Sequence, residues 1–380
     1  MALLPAHRRY LGPVILALLV LLLLGSLVPD PVGGGRPFTI ATGKTSLTDR
    51  LNALSRAMRQ YVSDNLAYAH SLPYLRGALE YALQTPSDPR VYFGRNAHLF
   101  YNGEEVVSQS TGSLYRADDV RHFVDVVDAL KLALASRGPD MVVLVPPNAQ
   151  SIPMHDQPRW WRVGGPLEYD LAIRSLRARG ITTIDLKAAF AVSPELQTLY
   201  RRTDSHWRWN GALMAFNLAM QAIGHREWSL DPATSLGPLA PAPTGDLAYL
   251  LGLPDLLSDT DYTPRIDPQM AEWAPVDVFR GPPLYDVLRF PPYAFERAPQ
   301  GERLLVLGDS FTQAFWRPML LHTGTARVGW MYFAECAFDF TDIERFQPTH
   351  VIVASTERLV VCRSERWPRG LPRDPAMAAR

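Results

Sequence analysis

The sequence predicts an α/β protein: a parallel sheet flanked by helices, with a loop-rich insertion and an N-terminal transmembrane helix. Three observations predict it. Short apolar runs at residues 141–145, 181–184, 303–308, 327–331 and 351–355 read as buried strands. The first two follow amphipathic stripes that stop at a glycine, as helix and strand alternate in a parallel α/β unit. Residues 11–28 form a leucine-dominated run of eighteen without a charge.

That run is about the minimum that crosses a bilayer, and His7, Arg8 and Arg9 before it predict a cytoplasmic N-terminus. The competing reading is a cleaved secretory signal, whose apolar core is usually shorter, roughly 7–15 residues. No convincing Ala-x-Ala site follows in Gly25-Ser26-Leu27-Val28-Pro29-Asp30. Both readings send the rest of the chain out of the cytoplasm. The expectation is a single-pass anchor over residues 1–30 in a bacterial inner membrane, with the remainder in the periplasm.

Residues 31–89 read as a Gly/Pro linker and a helical segment carrying Leu47, Leu51, Leu54, Met58 and Tyr61 at helical spacing. Residues 92–101 alternate weakly, contain Gly94 and run into Asn102-Gly103, which predicts a small hairpin. Val120, Phe123, Val127, Leu130 and Leu134 predict a helix ending at Gly138, and residues 167–179 another ending at Gly180. Residues 210–223 read as a helix, and 311–321 as at least partly helical. Between about 225 and 302 lie thirteen of the 33 prolines and six tryptophan and tyrosine residues, so this is an ordered insertion. It serves as a wall of a binding cleft or as a packing collar. Residues 361–380 read as a tail.

Lys+Arg and Asp+Glu balance at 38 each, so no global field points to nucleic acid. Cys336 and Cys362 are free to pair in an oxidising compartment, but spacing does not decide it. No cofactor motif and no metal-ligand spacing stands out, and nothing resembles an acetyl-CoA site.

Two short strings carry the chemistry: Asp204-Ser205-His206-Trp207 and Gly308-Asp309-Ser310-Phe311. The second ends an apolar run, so Ser310 is expected at a tight turn between a strand end and a helix start, at the edge of the parallel sheet. A serine hydroxyl needs a base, and a histidine base needs a carboxylate on its other nitrogen to hold its tautomer. Asp204 and His206 are two apart, so one turn can join them. Trp207 is expected to wall the imidazole, and Asn210 to cap the following helix. His155 also has an acidic neighbour, Asp156, without such a setting.

With these strings the chain resembles the SGNH-hydrolase-like acetyltransferase domain of the AlgJ/AlgX type, which O-acetylates alginate and related exopolysaccharides. The resemblance rests on residues 203–207 with Asn210-Gly211-Ala212, and on Gly308-Asp309-Ser310-Phe311. Residues 94–100, Val145-Pro146-Pro147-Asn148, Gly245-Asp246-Leu247 and Glu357-Arg358 support it. His98 and Asn148 depart from the family's usual tryptophan and lysine. The resemblance covers about residues 90–360, is closer to the AlgJ branch, and implies a flavodoxin-like sheet in permuted order. It further implies Ser310 as nucleophile, His206 as base and Asp204 as orienting acid, with no cofactor. The implied partners are a polysaccharide acceptor and a membrane-bound O-acyltransferase as acetyl donor. A secreted carbohydrate esterase with the same triad, or a non-catalytic polymer-binding scaffold, are the alternatives.

Overall fold

The computed structural model describes residues 4–25, 30, 51, 53–59, 61, 70–135, 138–253, 256–267, 272–280, 290–333, 335–363 and 367–373. The chain divides into two compact units, Met1–Asp88 with Ala248–Leu257, and Pro89–Leu247 with Ser258–Arg380.

The first unit is helical where described. It contains the helix Leu4–Gly25, helical residues 51, 53–59 and 61, and the helix Ser71–Leu83. Asp30 accepts the N–H groups of His70 and Ser71 at 2.8 and 3.0 Å, satisfying donors at the start of Ser71–Leu83 that the helix cannot satisfy itself. The transmembrane helix expected at residues 11–28 is not shown. Among the described residues no helix is long and apolar enough to cross a membrane, and residues 26–28 lie outside them. Leu47 of the expected early helix, and most of the linker, also lie outside.

The second unit opens with an antiparallel hairpin of Val91–Phe93 (β1) and Leu99–Tyr101 (β2). Its turn falls at residues 94–98, so the Asn102-Gly103 signal marks the exit and not the turn. The other strands are Asp140–Leu144 (β3), Thr182–Ile184 (β4), Leu236–Ala242 (β5), Asp259–Pro264 (β6), Ala274–Pro275 (β7), Tyr293–Glu296 (β8), Arg303–Gly308 (β9), Arg327–Tyr332 (β10) and His350–Ala354 (β11). β5 and β6 form a hairpin of their own. The rest make one sheet in the order β4-β3-β11-β9-β10-β8-β7. The pairs from β4 to β10 are parallel, while β8 and β7 add antiparallel edges.

Helices cover both faces, so the central strands are buried on both sides and side chains sort by period two. On one face Val142, Leu144, Leu304, Val306, Ile352 and Ala354 pack with the helices Trp209–Ala222 and Trp316–Leu321. On the other, Val143, Leu305, Leu307, Val351 and Val353 pack with Ala117–Leu134, Glu168–Ala178 and Phe340–Phe346. Continuous apolar strands are therefore what this sequence must contain, and they made the parallel core legible.

Three elements add detail that the sequence left open. The stretch after Ser310 is two short helices, Ser310–Gln313 and Trp316–Leu321, broken at Ala314 and Phe315. The insertion is not separate from the sheet, because its last part supplies β7 and β8. Cys336 and Cys362 form a disulfide with Cα atoms 5.7 Å apart.

Candidate active site

The turn after β9 is built by three residues. β9 lies inside the sheet, between β11 and β10, and its C-terminal end delivers Gly308, Asp309 and Ser310. Asp309 is buried and holds two backbone donors. One oxygen accepts the Phe311 N–H at 3.0 Å and caps the short helix; the other accepts the Thr356 N–H at 2.7 Å, just beyond β11. The nucleophile's turn is thereby tied to the neighbouring strand. A Cβ on residue 308 would lie 2.1 Å from the Thr312 hydroxyl, which Trp330 Nε1 already donates to at 2.9 Å, so only glycine lets the turn close.

The second string sits on a hairpin-like loop. Tyr200 and Trp207 form an isolated antiparallel bridge, and the Arg208 N–H donates to the Leu199 carbonyl at 2.7 Å. Between them Asp204 folds back on His206. Its Oδ1 lies 2.7 Å from His206 Nδ1 and accepts the His206 backbone N–H at 2.9 Å. Its Oδ2 accepts from Arg201 Nη1 at 3.2 Å. His206 Nε2 lies 3.0 Å from Ser310 Oγ. The three residues singled out from the sequence are thus in one hydrogen-bonded line.

Burial works against the Asp204 carboxylate, but the hydrogen bond from His206 and the charges of His206 and Arg201 outweigh it and hold its pKa at about 2. The acid is therefore ionised across the neutral range. An ionised Asp204 holds the proton on Nδ1, which leaves Nε2 with a lone pair facing the Ser310 hydroxyl.

Trp207 has a different task from the one expected. Phe311 is the ring against His206, with centroids 5.0 Å apart, and Trp207 packs edge-on with Phe311. Trp207 is fully buried and donates Nε1–H to the Phe311 carbonyl at 3.1 Å. It joins the base's loop to the nucleophile's helix. Arg358 lies over the same Phe311, its guanidinium 5.1 Å from the ring centre, and over Tyr101.

The insertion holds the acid–base loop in place. Asp246 accepts the Ser205 N–H at 2.7 Å and its hydroxyl at 2.6 Å. Asp259, at the start of β6, accepts the Thr203 N–H and hydroxyl, both at 2.7 Å. The Thr203 hydroxyl in turn accepts the Gly245 N–H at 2.9 Å. A Cβ at 245 would fall 2.3 Å from the Asp204 Cβ, so the approach needs glycine. Asp261 on β6 accepts the Trp209 N–H at 3.0 Å and caps the helix Trp209–Ala222, the role expected of Asn210. Asn210 instead donates to Glu195 at 2.7 Å. None of these three aspartates was identified from the residues' chemistry; only the Gly245-Asp246 pair was noted, through the resemblance.

Asp156 is bound to the turn between β1 and β2. It takes a hydrogen bond from the buried His98 at 3.1 Å and one from Asn96 at 2.7 Å, and the His98 bond above all lowers its pKa to about 2. Glu357 is buried, which raises its pKa, and it accepts the Asn148 N–H at 2.8 Å. Both are structural supports. Asp204, His206 and Asp246 offer ligand atoms within 4.8 Å of one another. Both His206 nitrogens are already engaged, by Asp204 and Ser310, so this cluster does not suit a cation.

Residues 91–277 match the family described as "SGNH hydrolase-like domain, acetyltransferase AlgX". The match spans Asp204 and His206 and ends before Ser310. No curated protein matches the chain. Among solved structures, Bacillus cereus PatB1 with a sulfonyl adduct is similar at 15% identity and a TM-score of 0.51, over 73% of this chain and 97% of that one. A DHHW family protein from Eubacterium siraeum is similar at 15% identity and a TM-score of 0.50, over 72% and 92%. The O-acetyltransferase domain of Pseudomonas putida AlgJ is similar at 16% identity and a TM-score of 0.46, over 77% and 98%. At these identities the likeness to the first two is one of fold alone. The family match goes further: this chain carries an SGNH hydrolase-like domain of the AlgX acetyltransferase family.

Proposed function

We propose that the protein is an O-acetyltransferase that moves acetyl groups onto hydroxyls of an exopolysaccharide through a Ser310–His206–Asp204 triad. The observation that carries this reading is the line from Asp204 through His206 Nδ1 and Nε2 to Ser310 Oγ, with contacts of 2.7 and 3.0 Å. The family match supports the acyl chemistry and implies a polysaccharide acceptor.

In the first half-reaction Ser310 Oγ attacks the carbonyl carbon of an acetyl ester while His206 Nε2 takes its proton. Asp204 stabilises the imidazolium. The Ser310 N–H, at the first position of its short helix, is placed to bind the oxyanion, a donor worth on the order of 3 kcal/mol. The imidazolium then protonates the leaving alkoxide, and acetyl-Ser310 remains. In the second half His206 deprotonates a sugar hydroxyl, which attacks the acetyl carbon, and the imidazolium returns the proton to Ser310 Oγ as the C–Oγ bond breaks. No step calls for a metal.

The setting we propose is sequence-based: Arg8 and Arg9 before the apolar residues 11–28 support an inner-membrane anchor with a periplasmic domain. A membrane-bound O-acyltransferase would then supply acetyl groups from the cytoplasmic side.

The deciding test incubates the purified protein with an activated acetyl ester and a set of bacterial glycans. Acetylated glycan formed faster than free acetate supports transfer; free acetate alone makes the protein a carbohydrate esterase. A polymer-binding scaffold has no need of a serine, imidazole and carboxylate in line. That reading requires Ser310→Ala to leave polymer acetylation unchanged in cells. A sulfonyl fluoride adduct on Ser310, lost in His206→Ala, is an independent readout of nucleophile activation.

A further inference from the structure

At the opposite end of β9 from Ser310, two histidines and a glutamate converge. His350 opens β11, Glu302 immediately precedes β9, and His225 follows the helix Trp209–Ala222. One ligand atom from each lies within 4.8 Å of the other two. The six residues of β9 separate this cluster from the triad by on the order of 20 Å, so it has no part in the reaction proposed above.

We infer that His225, Glu302 and His350 form a binding site for a single borderline divalent cation of the zinc type. Two imidazoles and one carboxylate are a known kind of zinc donor set, leaving a fourth position for water.

The groups behind the ligands point the same way. His225 Nδ1 lies 2.7 Å from the Glu227 carboxylate, which fixes its proton there and leaves Nε2 with a free lone pair. The His225 ring is stacked on Trp228, with centroids 3.8 Å apart and planes 7° from parallel, so its direction is set before any ligand arrives. It meets the His350 ring edge-on at 4.6 Å.

His350 is buried, and its hydrogen bonding is incomplete without a cation. Nε2 lies 2.9 Å from Glu302 Oε2, so in the metal-free protein its proton sits between them. Nδ1 then carries a bare lone pair. It makes no hydrogen bond among the described residues and faces the Asp140 carboxylate at 3.8 Å, where two electron-rich groups oppose each other. A cation on Nε2 requires the other tautomer of the neutral ring, with its single proton moved to Nδ1 and directed at Asp140. Each ligating imidazole would thus have a carboxylate behind it, the usual outer arrangement of a zinc histidine. A neutral His–Glu hydrogen bond explains neither the converging His225 nor the mismatch at Nδ1.

The test uses the purified full chain, stripped with chelator and titrated with Co²⁺, whose visible absorption reports a nitrogen–oxygen site of low coordination number. We expect one Co²⁺ per chain, displaced by Zn²⁺. His225→Gln and Glu302→Gln should each weaken binding about 100-fold, and Glu227→Gln about tenfold. Asp246→Asn, in the triad's own cluster, should leave it unchanged. Both ligand variants alter partly exposed side chains, and thermal melts without metal check that they fold as the wild type does. No Co²⁺ absorption at about millimolar metal overturns the inference, as does binding that survives His225→Gln and Glu302→Gln. Binding lost in Asp246→Asn and kept in those two also overturns it, by placing the ion at the triad.

Discussion

His206 Nε2 lies 3.0 Å from Ser310 Oγ although 104 positions separate them in the chain. The contact exists because β9 ends in a closed turn and because Trp207, beside the base, donates to the carbonyl of Phe311, beside the nucleophile. Base and nucleophile are thus braced by their own neighbours.

Ser310→Ala and His206→Ala are each expected to lower the transfer rate by roughly 10⁴-fold or more, and the double variant to be hardly worse than either. Asp204→Asn should cost on the order of 10⁴-fold, because an amide no longer enforces the Nδ1 proton. Single-turnover acetylation of Ser310 followed by mass spectrometry checks this. Multiplicative losses would count against a triad.

Gly245→Ala should fold and yet behave as an Asp204 variant. The added methyl group would stand 2.3 Å from the Asp204 Cβ, so the acid's loop must move. A displacement of about 1 Å at such a site costs about 100-fold in rate. Wild-type kcat in a folded Gly245→Ala protein would falsify the view that this approach sets the acid's position.

Trp207→Phe removes the Nε1–H donor to the Phe311 carbonyl and leaves a void in a fully buried position. A loss of about 2–3 kcal/mol in unfolding free energy is expected. The kcat should fall more than KM changes, because the lost contact aligns base with nucleophile. Denaturant titration and steady-state kinetics separate the two effects.

The Asp204 carboxyl titrates at about 2 in the folded protein, against an ordinary 3.8. Its ionised form is the one folding favours, so this contribution is complete above about pH 4 and is lost as pH falls toward 2. The shift corresponds to about 2 kcal/mol. Wild type should therefore exceed Asp204→Asn in stability by a margin that shrinks as pH falls below about 4. A margin that stays level down to pH 3 would contradict the assignment.

The Cys336–Cys362 bond closes a loop over a sequence separation of 26. Constraining a loop of that size stabilises the folded state by about 3 kcal/mol. Both the Cys336→Ser/Cys362→Ser double variant and reductant should lower Tm, and reductant should do nothing further to the variant.

What the sequence made legible follows from locality. The strands β3, β9, β10 and β11 are apolar runs because both faces of each are covered, and a run is readable within a few residues. The Asp204–His206 pair is equally local. Asp246 and Asp259 were not readable as parts of the site, because their partners are backbone N–H groups 41 and 56 residues away. A carboxylate that caps a distant loop leaves no pattern around itself. β7 and β8 were hidden by the prolines around them, which read as loop. The break at Ala314 and Phe315 was hidden because its apolar residues continue across it. The cysteine pairing depended on where the chain ends up and not on the spacing.

The glycine at 245 and the aspartates at 246 and 259 have one more consequence, for anyone who would rebuild this protein. Trimming residues 225–302 to a short connector would keep all three triad members in the gene, yet strip the loop of residues 203–206 of its outside supports. A minimised or chimaeric enzyme must therefore carry this stretch along with its own triad, since exchanging it alone would import foreign acceptors for Thr203 and Ser205.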